Sequence, residues 1–434
     1  MHISIQSAKR QRPTDHCQII DNERMTTGHI PKVLFLNPWD RLIGPNRYLA
    51  EMLRQTPEVA AKATVVFPED NGALLEYKSL GCQVAVWPEI KLIHPRLSIL
   101  NTAHNLRTHT LGLIGVIRGL WTLRPDLVVS NSEILCVGGM AARMVRIPHV
   151  QVVHSLLFQY RDQQYRKVLR LFVRFLSLWA KCFIGVSESV RRMLMSYRVK
   201  DSQIAVVPNG FDAQRIREKS CLPLPPVVEG LIQGRSPVLM SVGRIAPMKG
   251  QEVLVEAVKC LRLQYPSMVC LIVGRRGGPE SMEDTNSFFE HLMDQIHRYR
   301  LEDCVHLLGE VDYVPELLRH ADVYVHPSFT ESFSRVVAEA LICGKPVICT
   351  NAGALPEVVG PQGGVMVLPG DAEALAQGIK QILQGESLRQ RIVSSGQEHV
   401  ESHYSVLQTA PRFLEVLVSA ANSRPCGRQV GDVA

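Results

Sequence analysis

The feature that most constrains the fold is a series of short, continuously apolar segments that alternate with helical patterns and occur in two sets along the chain. Uninterrupted apolar runs rich in β-branched residues are typical of parallel strands buried on both faces. Their alternation with helices favours an α/β fold. The first set lies at residues 33–37, 63–67, 82–87, 126–131, 149–155, 182–187 and 204–210, and the second at residues 237–243, 268–274, 305–311, 322–328, 345–351 and 364–368.

A stretch with weak periodicity, residues 213–236, separates the two sets and contains Pro223, Pro225 and Pro226. We interpret it as a linker between two domains. A chain of 434 residues can bury two cores, so we expect two doubly wound sheets facing across a cleft, with ligands at the carboxyl ends of the strands. The predicted parts are a disordered extension at 1–29, a first domain at 30–212, the linker at 213–236, a second domain at 237–398, a helix at 399–421 that packs back on the first domain, and a disordered tail at 422–434.

Charge is distributed unevenly between the halves. Residues 1–207 carry a net charge of +12 and residues 208–434 a net charge of −5. A basic first half indicates an anionic partner there, either a phosphate-bearing acceptor or an acidic membrane surface. Nucleic acid is not expected, because no recognised binding module accompanies the charge. No apolar stretch is long enough to span a bilayer, and residues 1–29 lack the apolar core of a secretory signal.

Residues 329–359 contain two glutamates, Glu331 and Glu339, eight positions apart. Ser334 precedes an apolar run with helical spacing, so we predict that it caps a helix beginning near Arg335. The free backbone N–H groups at the start of that helix form an anion site suited to a diphosphate. Glu339 lies roughly 6–8 Å further along the helix axis. Residues 241–258 supply cations: a strand at Val238–Val242 leads through a turn that carries Arg244 and Lys249 into a helix from Gln251.

These two blocks resemble the nucleotide-sugar site of family 4 retaining glycosyltransferases, which have the two-domain GT-B fold. The resemblance implies that Arg244 and Lys249 grip the donor diphosphate, that Glu331 reaches the sugar, and that Glu339 reaches the ribose. It also implies donor contacts by the loop and helix start at Ser332, Phe333, Ser334 and Arg335, although both serines replace glycines usual in the family. Two cations stabilise a diphosphate leaving group, and no Asp-x-Asp motif is present, so we expect neither a metal nor a cofactor.

The first half contributes weaker signals. In relatives a glycine-rich loop follows the first strand; Gly44 matches it, Pro45 replaces a second common glycine, and Asn46 stands where backbone N–H groups could approach the donor. A plain turn with Asn46 as the helix N-cap accounts for these residues almost as well. Backbone near Val311 is a further candidate, able to contact uracil or guanine.

His154 ends the strand at 149–155, where relatives carry a histidine that faces the donor sugar. Its alternative role is that of an ordinary core histidine. In the family, transfer with retention is described as same-face attack in which the departing phosphate takes the acceptor proton. His154 would then orient the sugar or stabilise partial positive charge through its carbonyl, rather than act as a base.

Residues 155–181 combine six Arg or Lys with six aromatics. Arg166, Arg170, Arg174 and Lys181 crowd one side, and Leu169, Phe172, Val173, Leu176 and Trp179 another. This is either a basic amphipathic helix on an anionic membrane or a core-packed helix with a solvated basic side.

The resulting hypothesis is a cytoplasmic hexosyltransferase, peripheral on the inner face of the membrane. It would use a UDP- or GDP-linked sugar and a glycan or lipid-linked acceptor in synthesis of a bacterial surface polysaccharide or lipopolysaccharide. Two alternatives are a GT-B-like nucleotide-sugar epimerase, which needs no acceptor, and a non-catalytic nucleotide-sugar-binding partner of another transferase.

Overall fold

The structure is a computed structural model. It describes residues 29–38, 44–70, 72–88, 90, 99–156, 163–277 and 285–422, with the backbone alone at 99–109, 163–169 and 285. The predicted disorder of residues 1–28 and 423–434 lies outside this range.

The first domain is a seven-stranded parallel sheet. The expected strands are present as β1 Val33–Leu36, β2 Thr64–Phe67, β3 Gln83–Val86, β4 Leu127–Ser130, β5 His149–Val153, β6 Cys182–Gly185 and β7 Ile204–Val206. They are arranged in the order β3-β2-β1-β4-β5-β6-β7, with Phe35 of β1 paired to Val65 on one side and Val129 on the other. The helices between them are α1 Gly44–Arg54, α2 Pro57–Ala60, α3 Ala73–Ser79, α4 Ile99–Leu123, α5 Cys136–Met144, α6 Gln163–Ser177 and α7 Glu188–Ser196.

The second domain is a six-stranded parallel sheet in the order β10-β9-β8-β11-β12-β13. Its strands are β8 Val238–Val242, β9 Val269–Val273, β10 Val305–Gly309, β11 Val323–His326, β12 Val347–Thr350 and β13 Val365–Val367. Two helices of the linker region, α8 Ala213–Ser220 and α9 Pro226–Ile232, precede it, and its own helices are α10 Gln251–Arg262, α11 Thr285–Arg298, α12 Val314–His320, α13 Arg335–Ile342, α14 Leu355–Val359 and α15 Ala372–Gln384.

The linker region is therefore largely helical, and α8 packs against α12 and α13 of the second domain. After α15 come α16 Glu386–Tyr404 and α17 Val406–Ala421. α16 packs on α13 and α14, whereas α17 contacts α1, β4 and β5 of the first domain. Phe413 of α17 is fully buried there and stacks near Phe35 at 6.4 Å between ring centroids. The chain thus crosses between the domains twice.

The two crossing segments pair with each other. Phe211 donates its N–H to the carbonyl of Tyr404 at 2.8 Å and accepts the N–H of Val406 at 3.0 Å. In each sheet the strand order reverses at one point, between β1 and β4 and between β8 and β11. Such points open a crevice at the carboxyl ends of the strands, where doubly wound proteins bind ligands. Within the described residues, none of the helices is both long and apolar enough to cross a membrane.

Candidate functional site

Glu331 is the central carboxylate of the site. It lies in the loop after β11, and its side chain is 9% exposed. One oxygen, Oε1, pairs with the Lys249 ammonium, lies 2.9 Å from Nε2 of His326 and accepts the Ser328 hydroxyl at 3.2 Å. Burial alone would raise the pKa of Glu331, but the Lys249 charge and the His326 hydrogen bond outweigh it and lower the pKa to about 2. The carboxylate is therefore ionised at neutral pH.

The turn between β8 and α10 positions the two cations named from the sequence. Gly250, at φ +67°, lets this turn approach the loop after β11, because a Cβ at this position would lie 2.2 Å from the carbonyl oxygen of Pro327. Gln251 donates its side-chain amide to the Arg244 carbonyl at 2.9 Å and so fixes the turn from within. Lys249 is paired with Glu331, while the guanidinium of Arg244, in the part of the chain described, has no ion-pair partner. Arg244 is the freer of the two cations to meet a phosphate.

Helix α13 begins as predicted, and Ser334 is confirmed as its N-cap, with the Ser334 hydroxyl accepting the Val337 N–H at 3.4 Å. Glu339 is buried one turn inside, 3.7 Å from Nη2 of Arg335. Arg335 itself turns toward the first domain, where it donates to Oδ1 of Asn209 at 3.2 Å and covers the Phe211 ring. Burial lowers the pKa of Arg335, although Glu339 opposes the shift. As placed here, Arg335 joins the domains as well as pairing with Glu339.

The residues that replace glycines in the loop make contacts of their own. Ser332 donates its hydroxyl to the His154 carbonyl at 2.5 Å, across the cleft. This carbonyl was expected to face the sugar, but in the structure it accepts the Ser332 hydroxyl instead. Phe333 is buried between Phe211, 6.1 Å away by ring centroids, and Tyr404, at 5.2 Å. Its ring therefore packs at the crossing segments, and only its backbone remains for a donor.

His154 stands directly after β5, with Nε2 2.8 Å from Oδ1 of Asn131. The orientation of the Asn131 amide follows from its other contacts, since Nδ2 donates to the Pro45 carbonyl and to Oδ1 of Asn37. Nε2 of His154 consequently carries a proton and donates it. Burial lowers the pKa of His154 to about 3, so the ring is neutral at pH 7. Tyr48 packs edge-on against it at 5.2 Å.

The remaining candidates lie at the edges of the site. α1 starts at Gly44, which places Asn46 inside the first turn, fully buried; the interpretation of Asn46 as the N-cap is wrong. The carbonyl of Asn46 accepts the Tyr77 hydroxyl at 2.9 Å. Val311 follows β10 and packs partly buried against the core. Nearby, Gly309, at φ +72°, accepts the Gly274 N–H at 2.8 Å and so closes the end of β9 over β10.

Three further candidate residues were not predicted from the sequence. His326 ends β11 and contacts Glu331. Glu133, after β4, accepts the His154 N–H at 3.1 Å and the Ser155 hydroxyl. Glu357 of α14 accepts the Glu188 N–H at 2.9 Å and the Ser189 hydroxyl at 2.5 Å at the start of α7 and thereby ties the domains together. His326 and Glu133 could have been found from their places at carboxyl ends of strands; no local pattern marks Glu357.

Chemically, the arrangement offers a buried anion, two cations and a helix N-terminus at one switch point, facing a neutral histidine that follows β5, one strand away from the other switch point. Among the residues with described side chains, no group of three or more His, Cys, Asp or Glu is placed to hold a metal ion. Two parallel, doubly wound domains that meet in this way define the GT-B class.

Comparisons with known proteins agree with that class. The family model "Glycosyl transferases group 1" matches residues 228–399, and "Glycosyltransferase Family 4" matches residues 42–215. The HepE protein of Anabaena, solved in complex with UDP-glucose, superposes with a TM-score of 0.74 at 23% identity, covering 90% of this chain and 100% of that one. The chain belongs to the family 4 glycosyltransferases.

Curated relatives match this chain over only part of their own lengths. The O-antigen chain mannosyltransferase B of Escherichia coli is 31% identical over 182 residues, which are 41% of this chain and 44% of that protein. Glycogen synthase of Mycobacterium tuberculosis (strain H37Rv) is 25% identical over 311 residues, 68% of this chain and 69% of that protein. The match thus spans less than half of the mannosyltransferase.

Proposed function

We propose that this protein is a retaining, metal-independent hexosyltransferase that moves a hexosyl group from a nucleoside-diphosphate sugar to a glycan or lipid-linked acceptor. The observation that carries the proposal is the ionised, buried Glu331 beside Lys249 at the start of α13, with Arg244 in the same turn. In this proposal Glu331 orients the sugar, and Lys249 and Arg244 stabilise the diphosphate.

The diphosphate would bind between Arg244, Lys249 and the N-terminus of α13. Negative charge grows on the leaving diphosphate as the anomeric C–O bond breaks. A positioned cation 4 Å away contributes on the order of 4 kcal/mol at an effective dielectric constant of about 20. The structure holds Lys249 against Glu331, so donor phosphate must share or take over this cation.

The sugar would lie between Glu331 and the cleft face of His154. Glu331 accepts a sugar hydroxyl, and Glu339 accepts ribose hydroxyls once Arg335 yields part of its contact. The acceptor hydroxyl attacks the face that the diphosphate is leaving, through a short-lived oxocarbenium-like state. Its proton passes to the departing phosphate oxygen, so that neither glutamate acts as nucleophile and neutral His154 acts as an orienting group.

The nature of the donor and acceptor is supported by relatives and by charge. HepE was solved with UDP-glucose, which supports a UDP-linked donor, and the relative named as an O-antigen chain mannosyltransferase supports transfer of a mannosyl group and a role in surface polysaccharide synthesis. The net charge of +12 in residues 1–207 supports a phosphate-bearing, lipid-linked acceptor at the cytoplasmic face of the membrane.

The test is a panel of UDP-, GDP- and ADP-sugars, first by thermal shift, since ligand binding to the folded state raises its stability. The donor that binds is then incubated with and without membrane lipid extract, and the anomeric configuration of the product is read by NMR. Transfer that requires the extract and retains configuration supports the proposal. Conversion of donor without extract would indicate an epimerase, and binding without consumption a non-catalytic partner.

Helix α6 supports peripheral membrane binding, but by a different face from the one the sequence suggested. Val173 and Leu176 are buried in the domain core, as the core-packed alternative predicts. The exposed side instead mixes cations with apolar groups: Leu171 and Leu178 are 68% and 69% exposed, and Arg170, Arg174 and Phe175 are exposed as well. A mixed surface of this kind suits an anionic bilayer.

Sedimentation with liposomes tests this part. Binding should need anionic lipid, weaken as salt shortens the Debye length, and fall when Arg170 and Arg174 are changed to Gln, with donor affinity retained. Arg298→Gln with Arg391→Gln, which removes the same charge from exposed positions of other helices, is the matched control. Equal binding by both double variants, or none by wild type, would favour a soluble acceptor.

A further inference from the structure

Within the described part of the chain, all hydrogen bonds to the Glu331 carboxylate go to one of its two oxygens. Lys249, His326 and Ser328 converge on Oε1, and no described residue donates to Oε2. A carboxylate held by one oxygen in this way has a fixed rotamer and a second oxygen directed elsewhere. The arrangement therefore separates the group that anchors the side chain from the oxygen that is available to a ligand.

His326 is far more enclosed than Lys249. Its side chain is 4% exposed, against 26% for Lys249. On its other nitrogen, Nδ1 lies 3.1 Å from the Tyr324 hydroxyl, which in turn lies 3.4 Å from the Val242 carbonyl. That hydroxyl can donate to Nδ1, or accept from it while donating to the carbonyl. Because the ionised carboxylate of Glu331 can only accept, Nε2 carries the ring proton and donates toward Glu331, so in the neutral ring Nδ1 accepts the Tyr324 hydroxyl; the second arrangement would need a doubly protonated ring.

Lys249 is the partner that a donor would draw away, because phosphate oxygens compete for the ammonium. Glu331 would then be left as a buried carboxylate without its cation, which is costly unless other donors remain. His326 and Ser328 are those donors, and both are buried.

We propose that His326 is a positioning residue: it holds Oε1 of Glu331 so that Oε2 is presented to the donor sugar while Lys249 engages the diphosphate. This inference rests on the proposed function, in which Glu331 contacts the sugar. It adds that two hydrogen-bond partners of Glu331 have different roles: Lys249 binds the phosphate, and His326 orients the carboxylate.

The test compares His326→Leu, which removes the donor, with His326→Gln, whose amide N–H can stand near the position of Nε2. In His326→Leu, kcat should fall roughly 10- to 100-fold, since small misplacements of a positioned group have effects of that size. Affinity for UDP should stay within about twofold, because its expected contacts are untouched. His326→Gln should recover most of the lost rate, and His326→Asn, which is too short to reach Glu331, should not.

Calorimetry supplies a second readout that does not depend on the acceptor. UDP and UDP-glucose, or GDP and GDP-mannose if the panel selects guanine, are titrated into each variant, and the gain in affinity due to the sugar is compared. The gain should shrink in His326→Leu and return in His326→Gln. His149→Leu is the matched control for loss of a buried histidine. His149 and its partner Ser130 both lie in the first domain, away from Glu331.

The outcomes separate the two claims. A folded His326→Leu with wild-type kcat and an unchanged sugar gain overturns the role of His326, as does equal loss in the Leu and Gln variants. If Leu fails to fold, the contrast between Asn and Gln decides in the same way. If Glu331→Gln also leaves the sugar gain unchanged, or wild type binds none of these nucleotides, the proposed function fails and this inference falls with it.

Discussion

Removal of the Lys249 ammonium should destabilise the second domain, because it leaves Glu331 ionised and buried. The pKa of Glu331 is lowered from 4.5 to about 2, and one pKa unit corresponds to about 1.4 kcal/mol, so the partners, after offsetting the effect of burial, leave a net stabilisation of about 3 kcal/mol at pH 7. Lys249 has the largest lowering effect among them. We therefore expect Lys249→Met, which keeps the aliphatic length, to reduce the free energy of unfolding by about 2 kcal/mol.

The sign of the pH dependence follows from the direction of the shift. Because the pKa of Glu331 is depressed in the folded state, its contribution is fully present above about pH 4.5 and is lost as pH falls toward 2. The difference between wild type and Lys249→Met should accordingly be largest at neutral pH and shrink below pH 4.

Urea denaturation of a double-mutant cycle measures the effect. Glu331→Gln alone also breaks the pair, whereas Lys249→Met with Glu331→Gln removes both charges and should be more stable than the sum of the single variants predicts. The double variant should still be inactive, since stability and transfer are separate. A coupling energy below about 0.5 kcal/mol at pH 7 would refute the assignment of Lys249 as the main stabiliser of the buried carboxylate.

The other predictions concern activity. Arg244→Ala should lower turnover on the order of 100-fold in wild-type-like folded protein, as loss of one preorganised transition-state contact does, and chelator should leave the wild-type rate intact; a strict Mg²⁺ requirement in single-turnover kinetics would contradict the metal-free mechanism. Glu331→Gln should mainly impair transfer and Glu339→Gln mainly nucleoside-diphosphate affinity by calorimetry; equal affinity losses would refute this division. Ser332→Gly should free the His154 carbonyl and lower KM for the donor severalfold, with an unchanged KM refuting competition at that carbonyl. Burial lowers the pKa of His154 to about 3, so His154 should not titrate between pH 5 and 8. The pH profiles of kcat/KM for wild type and His154→Asn should therefore have the same shape in this range; a transition present in wild type and lost in the variant would contradict this.

Much of the fold could be predicted because its signal is local. A strand such as residues 269–273, apolar on both faces, is readable as a parallel strand from its own residues, and so is a helix start capped by Ser334. The two helices of the linker region were not predicted, because proline also marks turns and linkers. Proline is favoured in the first turn of a helix as well, and α9 begins at Pro226.

The site was less predictable because its contacts join distant parts of the chain. The hydrogen bond from Ser332 to His154 spans 178 positions, and that from Glu188 to Glu357 spans 169. No spacing rule connects such pairs. The family resemblance supplied Glu331 and Lys249 as separate ligands of a donor, but their pairing with each other depends on how the β8–α10 turn approaches the loop after β11.

Two sets of contacts hold the domains together. One is the pivot, where Phe211 pairs with the chain at Tyr404 and Val406, and the other joins Glu357 to the start of α7. At the pivot, Phe211 is hydrogen-bonded to the returning chain on both of its backbone groups. Elsewhere, Glu357 accepts two donors from the N-terminus of α7, where a carboxylate also meets the positive end of the helix dipole. Neither contact touches the expected donor, yet together they bring Ser332 within hydrogen-bonding distance of His154. Since the groups expected to face the sugar come from both domains, these two contacts act together with the Ser332 and Arg335 hydrogen bonds to hold those groups at one separation.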